Sequence, residues 1–354
     1  MATTTTNFGF DVPTSSDLVK NGATAISTLG QDIDTFLAGS PTRTAGKNKI
    51  INGDFGIWQR GTSLATYGYL ADRFYGDTNA TVTQSRQTFT PGTAPVAGYE
   101  GSFFYRLAKS SGGSYVSLQQ KIEDVRTFAG QTITLSFWAK IDSGTQSVGT
   151  AFEQNFGSGG SSGVYTYGSN VTLTTTWTRY SVTVTLPSIA GKTIGTSSFL
   201  NVLSLNLSSS AAITFDYWGV QLEAGSVATA FQTATGTIQG ELAACQRYYY
   251  RSTSSAGSQT STGISGITNS TTNLVGYFNP PVPMRVTPTA VEFSSIGTQT
   301  TGSGLTAISA VAIVNESNNN SVSLNLTSSG FTANLFGLVR GTTGTGYIGL
   351  SAEL

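Results

Sequence analysis

The chain has no histidine and a single cysteine, Cys245. That excludes Ser–His and Cys–His nucleophilic pairs, histidine-bound zinc and any CxxC pair. The acid–base chemistry left is that of two carboxylates flanking a scissile bond. Asp72, Glu123, Glu153, Asp216 and Glu223 are the candidates. Glu123 and Asp124 are adjacent, so on a strand their side chains face opposite ways and do not act together. With 18 acidic residues spread over the chain, a structural role is the default for each, and no catalytic residue is assigned. Aromatic rings offer the other chemistry, stacking on the face of a sugar ring. Tyr165 and Tyr167 are expected in an exposed loop and are the better placed, with Trp58 and Trp177 nearer strand ends. Trp138 and Trp218 sit inside apolar runs and are expected in a core, because buried aromatics anchor sandwiches.

The composition indicates strands to position these residues. Only 10% of residues are charged, against roughly 25% in a typical soluble chain, and Ser, Thr, Asn and Gly fill the gap. Aromatics at 11% argue against disorder, and β-branched residues punctuated by Gly, Ser and Asn argue for all-β structure. Lys plus Arg and Asp plus Glu balance at 18 each, so nothing draws the chain to nucleic-acid phosphates. No apolar run approaches the ~18–20 residues of a membrane span. The opening MATTTTNFGFDVP has neither a basic start nor an apolar stretch, so no signal peptide is expected. One cysteine fits assembly in a reducing cytoplasm.

Three parts follow along the chain. In residues 1–40, Val19, Gly22, Ile26, Leu29, Ile33 and Phe36 step by 3,4,3,4,3, the seam of a coiled coil. The stripe spans about three heptads, and Gly22 and Gly30 each cost roughly 1 kcal/mol relative to Ala. Such a helix is marginal alone and needs sister chains or a docking groove; packing on its own domain is the alternative. Residues 41–47 read as a linker. In residues 48–235, TITLSFWAKI (132–141) and WTRYSVTVTL (177–186) alternate with period two, as do FLNVLSLNL (199–207) and AITFDYWGVQL (212–222), which points to an antiparallel sandwich. FGSGGSSGVY (156–165) is a hairpin connection, because no helix follows its glycines to make a phosphate cradle. In residues 236–354 a helical neck comes first, with Ile238, Leu242, Cys245 and Tyr249 stepping by 4,3,4 as a second seam, and strands follow. Tyr248, Tyr249 and Tyr250 cannot all point inward on a strand, so one or two are expected to face a partner chain or solvent.

SLQQKIEDVRTFAGQTITLSFWAKID, TTTWTRYSVTVTLP and ITFDYWGVQLEAG resemble the jelly-roll domains of galactose-binding-like carbohydrate-binding modules. INGDFGIWQRG, ADRF, QLEAGSVATAF, ELAACQRYYY and LSAEL, together with MATTTTNFGFDVPTSSDLVKNGATAISTLGQDIDTFL, resemble bacteriophage tail-fibre and virion-appendage proteins. The resemblance implies a mainly β chain with a short coiled-coil-like N-terminal helix, a central jelly-roll β-sandwich and a C-terminal β-sandwich domain, assembled as a homotrimer. It implies a tail fibre or fibre-like spike, located on the virion and assembled in the host cytoplasm. Residues 1–40 would dock to tail or capsid proteins, and Tyr165, Tyr167 and Trp58 would meet host surface glycan. A purely architectural adaptor or capsid-decorating fibre is the alternative, and a glycan depolymerase a minor one. No cofactor is required. The resembled jelly rolls often hold a structural calcium near the first and last strands, where Asp54 and Asp216 fall; a turn at Asp54 and a strand-neighbour pair at Asp216 is the other reading.

Overall fold

The computed structural model describes residues 3–4, 11–12, 21–39, 46–96, 99–254, 261–302 and 304–354, with side chains described throughout except at 3–4, 11–12 and 34–39. The N-terminal helix runs Gly22–Gly39, about 27 Å long. Of its seam, Val19 and the Phe36 side chain lie outside the described residues. Ile26 is 66% and Ile33 40% exposed, and none of the helix's described side chains is buried. Among the described residues, the apolar stripe is therefore not buried against the chain's own sandwich.

Strands between Ser63 and Ala224 form two antiparallel sheets. One is ordered Val164–Tyr167, Gln146–Asn155, Phe199–Ser208, Tyr115–Ile122, Tyr75–Thr78, Gly68–Tyr69, with Val171–Leu173 also on Gln146–Asn155. The other is ordered Thr178–Thr185, Thr132–Ile141, Ile213–Ala224, Phe103–Lys109, Val82–Thr88, Ser63–Leu64. Their facing sides share one core, in which Ile133, Leu135 and Phe137 meet Phe152, Leu200 and Val202. Cross-strand register places Val182 opposite Leu135 and Val184 opposite Ile133, as period-two alternation requires.

The six-stranded sheet is covered on its other side too. Trp138 and Trp218 are buried there with Phe89, Phe104 and Phe231, under the loop before Phe103 and the segment after Ala224. Trp218 contacts Trp138, Tyr99 and Phe231 at ring separations of 5.5, 5.4 and 5.0 Å. This second cluster explains why Ile133–Ala139 is buried at every residue instead of every second one. Burying each such ring contributes roughly 2–3 kcal/mol. Gly219 lets the cluster close: it sits at φ +65°, and a Cβ there would come within 2.6 Å of the Trp138 ring.

Residues 48–57 enter this sandwich without pairing as a strand, and amide side chains take over the backbone groups. Asn48 accepts from Ile50 and Leu222 N–H. Gln120 both accepts from and donates to the Ile51 backbone, at 2.8 and 2.9 Å. Asn52, at φ +61°, accepts from Ile57 N–H and donates to the Ile57 and Asp72 carbonyls. Gly53 presses on the Val220 carbonyl so closely that a Cβ would fall 2.1 Å from its oxygen. The Asn-Gly-Asp stretch is therefore a docking turn.

The second helix, Ile238–Gln246, starts at Thr237, whose hydroxyl accepts from Gly240 N–H at 3.1 Å. The expected neck seam does not form one stripe. Ile238 and Leu242 are exposed, Cys245 is buried, and Tyr249 lies beyond the helix on the strand Tyr249–Thr253. Glu241 fastens the helix instead: its carboxylate accepts from Asn52 N–H and Thr235 N–H, each at 2.7 Å.

Beyond the helix a three-stranded sheet, Tyr249–Thr253, Tyr347–Ser351, Ala290–Ser294, packs on a seven-stranded one. The latter is ordered Leu305–Ala307, Ile296–Thr300, Phe336–Gly341, Ser261–Thr268, Asn273–Phe278, Val322–Thr327, Ala310–Ile313. Ile348 and Leu350 from the first sheet join Ile264, Leu274, Leu324 and Val339 from the second in one core. The expectation assumed one strand for all three tyrosines, but Tyr248 lies in the turn before Tyr249–Thr253 and is not bound by its alternation, so both Tyr248 and Tyr249 are buried and only Tyr250 stays half-exposed. Tyr248 lies under Arg73, Tyr249 under Arg60, and half-buried Tyr250 packs near Phe278.

Candidate functional site

The seven-stranded sheet of the central sandwich has one face on the core, and on its other face Tyr165 and Tyr167 are exposed at the Val164–Tyr167 end. Register fixes what lies on that face. Tyr165 is opposite Glu153, Glu153 opposite Asn201, and Asn201 opposite Lys121. The adjacent row runs Tyr167, Ala151, Leu203, Gln119, Tyr75. Strand periodicity puts both rows on the same side.

Tyr165 and Tyr167 are 51% and 69% exposed, but on the edge strand Val164–Tyr167 and not in the expected loop, because the chain after the glycine-serine turn pairs with Gln146–Asn155. Their ring centroids are 6.1 Å apart and their planes 16° from parallel. The Tyr165 hydroxyl pKa is raised, by partial burial first and then by the charge of Glu153 and a hydrogen bond to it. Glu153 also accepts from Asn155 Nδ2 at 2.8 Å, and Asn201 Nδ2 donates to Gln119 Oε1 at 2.6 Å. Lys121 Nζ lies 4.6 Å from the centre of the Phe199 ring and donates to the Leu354 carbonyl at 2.7 Å. The face thus combines two parallel aromatic rings with a carboxylate and the half-buried Gln119 amide, while Asn201 is buried beneath it. Flat apolar rings suit the C–H face of a sugar, and carboxylates and amides suit its hydroxyls. At the far end of the same sheet, Arg60, Tyr69 and Tyr75 line a cleft of about 370 Å³ with Arg251, Glu292 and Tyr347 of the C-terminal region.

No protein-family model matches this sequence, and no curated protein matches it. Solved structures do. The enzymatically active domain of tailspike protein 4 of bacteriophage CBA120 is similar at a TM-score of 0.34 and 17% identity, covering 51% of this chain and 22% of its own. The alignment therefore spans about a fifth of that tailspike chain. The CBM22-2 xylan-binding domain of Paenibacillus barcinonensis Xyn10C is similar at 0.31 and 18%, over 45% of this chain and 94% of its own. A family 11 carbohydrate-binding module from Clostridium thermocellum, in complex with a β-1,3-1,4-mixed-linked tetrasaccharide, is similar at 0.30 and 9%, over 46% and 94%.

The remaining sequence candidates lie elsewhere. Trp58 is not on the tyrosine face. It is half-buried at the main core, lies 6.2 Å from Tyr105 at 18° between planes, and donates its indole N–H to the Phe55 carbonyl. Trp177 packs on the outer aromatic cluster beside Phe104. Asp216 accepts from both Arg106 Nε and Nη2, at 2.6 and 2.8 Å, with Lys140 at 3.6 Å, so a metal cation there would have to displace Arg106. Asp54 accepts from the Tyr99 hydroxyl at 2.9 Å and from Gly56 N–H. Among the described residues, no group of three or more His, Cys, Asp or Glu could hold a metal ion.

The other carboxylates are tied to cations. Asp72 is buried 3.6 Å from Arg60, and burial raises its pKa to about 6. Glu123 meets Arg247 at 3.0 Å and Arg285 at 3.9 Å. Glu223 is buried against Lys47 at 2.9 Å; burial pushes its pKa up, and hydrogen bonds from Thr229, Lys47 and Gln221 bring it below the usual range. Of the five, Glu153 is the one on the tyrosine face. Sequence reasoning treated it only as a possible acid and passed over Asn201, Gln119 and Phe199. FLNVLSLNL does place Phe199, Asn201 and Leu203 on one face, but nothing in it says which strand lies beside them.

Proposed function

We propose that this chain is a virion appendage that docks by its N-terminal segment and recognises host surface glycan through the sheet face around Tyr165 and Tyr167. The observation that carries the glycan reading is the exposed, near-parallel tyrosine pair with Glu153 opposite Tyr165 on the neighbouring strand. A sugar face can stack on the exposed rings while its hydroxyls meet the neighbouring polar groups. Affinity at one such open face is modest, and several copies on one particle raise it by avidity. The reading is binding without hydrolysis, homotrimeric, on the particle. The virion part is supported by the sequence resemblance and by the exposed Ile26 and Ile33 of the N-terminal helix, which call for a partner.

The test is binding of the full chain to an immobilised array of bacterial surface polysaccharides, compared with Tyr165→Ala and Tyr167→Ala. Retention on at least one polysaccharide, lost in both variants, supports the reading. Retention unaffected by either change refutes this face as the site. No retention, with normal incorporation into particles, favours the architectural adaptor.

A further inference from the structure

The cleft between the Gly68–Tyr69 end of the central sheet and the three-stranded sheet holds two guanidiniums in different states. Arg60 is already paired. It lies 3.4 Å from Glu353 and 3.6 Å from Asp72 and covers the Tyr249 ring. Arg251 is not. Its Nη1 donates to the Arg60 carbonyl at 2.7 Å, and its guanidinium lies 3.3 Å from the centre of the Tyr347 ring. Among the described residues it has no carboxylate partner, and its buried Nε has no hydrogen-bond partner. A buried donor left unpaired is costly, more so on a charged group. The unused edge of Arg251 is Nε with Nη2. Arg106 holds both carboxylate oxygens of Asp216 with that same edge, at 2.6 and 2.8 Å.

A guanidinium edge of this shape matches the two oxygens of a carboxylate. The rest of the cleft selects what carries that carboxylate. Arg251 and Glu292 stand on one face of the three-stranded sheet, on either side of Gly349. Glu292 accepts from the Tyr249 hydroxyl at 3.0 Å, is exposed, and keeps lone pairs for further hydroxyls. Its charge disfavours inorganic phosphate or an acidic peptide and favours a single carboxylate flanked by hydroxyl donors. Tyr69 and Tyr75, both half-buried, have ring centroids 5.0 Å apart at 75° and add apolar surface for C–H groups. One carboxylate, several hydroxyls and an apolar ring face describe a sugar acid, and about 370 Å³ is room for one residue of it. We propose that this cleft binds a uronic-acid residue of an acidic polysaccharide, its carboxylate on Arg251 and its hydroxyls on Glu292. Tyr75 ends the row that begins at Tyr167, four strand spacings or roughly 19 Å away. A disaccharide therefore reads the cleft alone, and failure at either place leaves the other undecided.

Calorimetric titration of the full chain at low salt with disaccharides of glucuronate, galacturonate and mannuronate tests it. At least one is expected to bind. Reducing its carboxyl to an alcohol, or Arg251→Gln in the protein, should each weaken binding by about tenfold or more. No binding of any of the three overturns the proposal. So does binding that survives carboxyl reduction or Arg251→Gln, and so does disaccharide binding that is lost in Tyr165→Ala, which would place it at the tyrosine face. A glutamate dipeptide bound as tightly would assign the cleft to acidic peptides and overturn it too. Should Arg251→Gln not fold, Arg251→Lys keeps the charge without the planar fork and should also weaken binding. Unchanged binding in that variant overturns the proposal.

Discussion

Arg73 and Glu353, 280 residues apart in sequence, form a buried ion pair that joins the central sandwich to the C-terminal region. The same carboxylate lies 3.4 Å from Arg60, whose guanidinium sits over the Tyr249 ring. Around it, Lys121 donates to the Leu354 carbonyl, and Gln59 Nε2 donates to the Tyr249 carbonyl at 2.7 Å. The LSAEL stretch is therefore a clasp, and it borders the sheet that carries the tyrosine face.

Removing that carboxylate leaves buried Arg73 without its ion-pair partner, while Arg60 keeps Asp72 at 3.6 Å. Glu353→Ala is expected to destabilise the fold by about 3–5 kcal/mol, the cost of breaking a buried pair from one side. Urea unfolding followed by tryptophan fluorescence measures it, and a loss under about 1 kcal/mol would contradict the clasp.

Asp72 makes stability depend on pH. Its carboxyl titrates at about 6 in the folded chain, chiefly because of burial, against 3.8 ordinarily. Between those values the native state holds the proton more tightly than the unfolded state. Stability should therefore fall as pH rises from about 4 to about 6, by about 3 kcal/mol, and level off above. Asp72→Asn should remove this part of the slope. An unchanged slope in the variant places the titration elsewhere.

At Gly219 a methyl group meets the Trp138 ring, and the backbone sits in the left-handed region. Gly219→Ala is expected to cost about 2–4 kcal/mol, from overpacking plus αL strain. Thermal unfolding reads the loss; wild-type stability would mean that the outer aromatic cluster yields easily.

Part of this architecture was legible in advance. Thr132–Ile141 and Thr178–Thr185 show period-two alternation, and they pair with the apolar residues in register. Trp138 and Trp218 were expected to be buried and are, although in a cluster outside the sandwich's main core that alternation alone cannot reveal. The neck failed for a physical reason: a 4,3,4 step from Ile238 to Tyr249 says nothing about where the helix stops, and it stops at Gln246. Tyr165 and Tyr167 were legible as exposed rings, but their neighbours Glu153 and Asn201 come from strands whose adjacency is set by long-range pairing. The clasp was invisible for the same reason, since Arg73 and Glu353 share nothing in sequence but opposite charge.

For the N-terminal helix, Ile26→Asp with Ile33→Asp should abolish incorporation into particles while leaving the sandwich folded. Near-wild-type circular dichroism and an empty particle fraction are the expected pair of results. Normal incorporation would refute docking through this stripe.

The most direct measurement is polysaccharide binding by Tyr165→Ala and Tyr167→Ala at matched stability. Both side chains are exposed, so each variant should unfold within about 0.5 kcal/mol of the wild type. Each should nonetheless lose about tenfold or more in affinity for any bacterial polysaccharide the wild type retains. Equal affinity in wild type and both variants would contradict the assignment of this sheet face to glycan recognition.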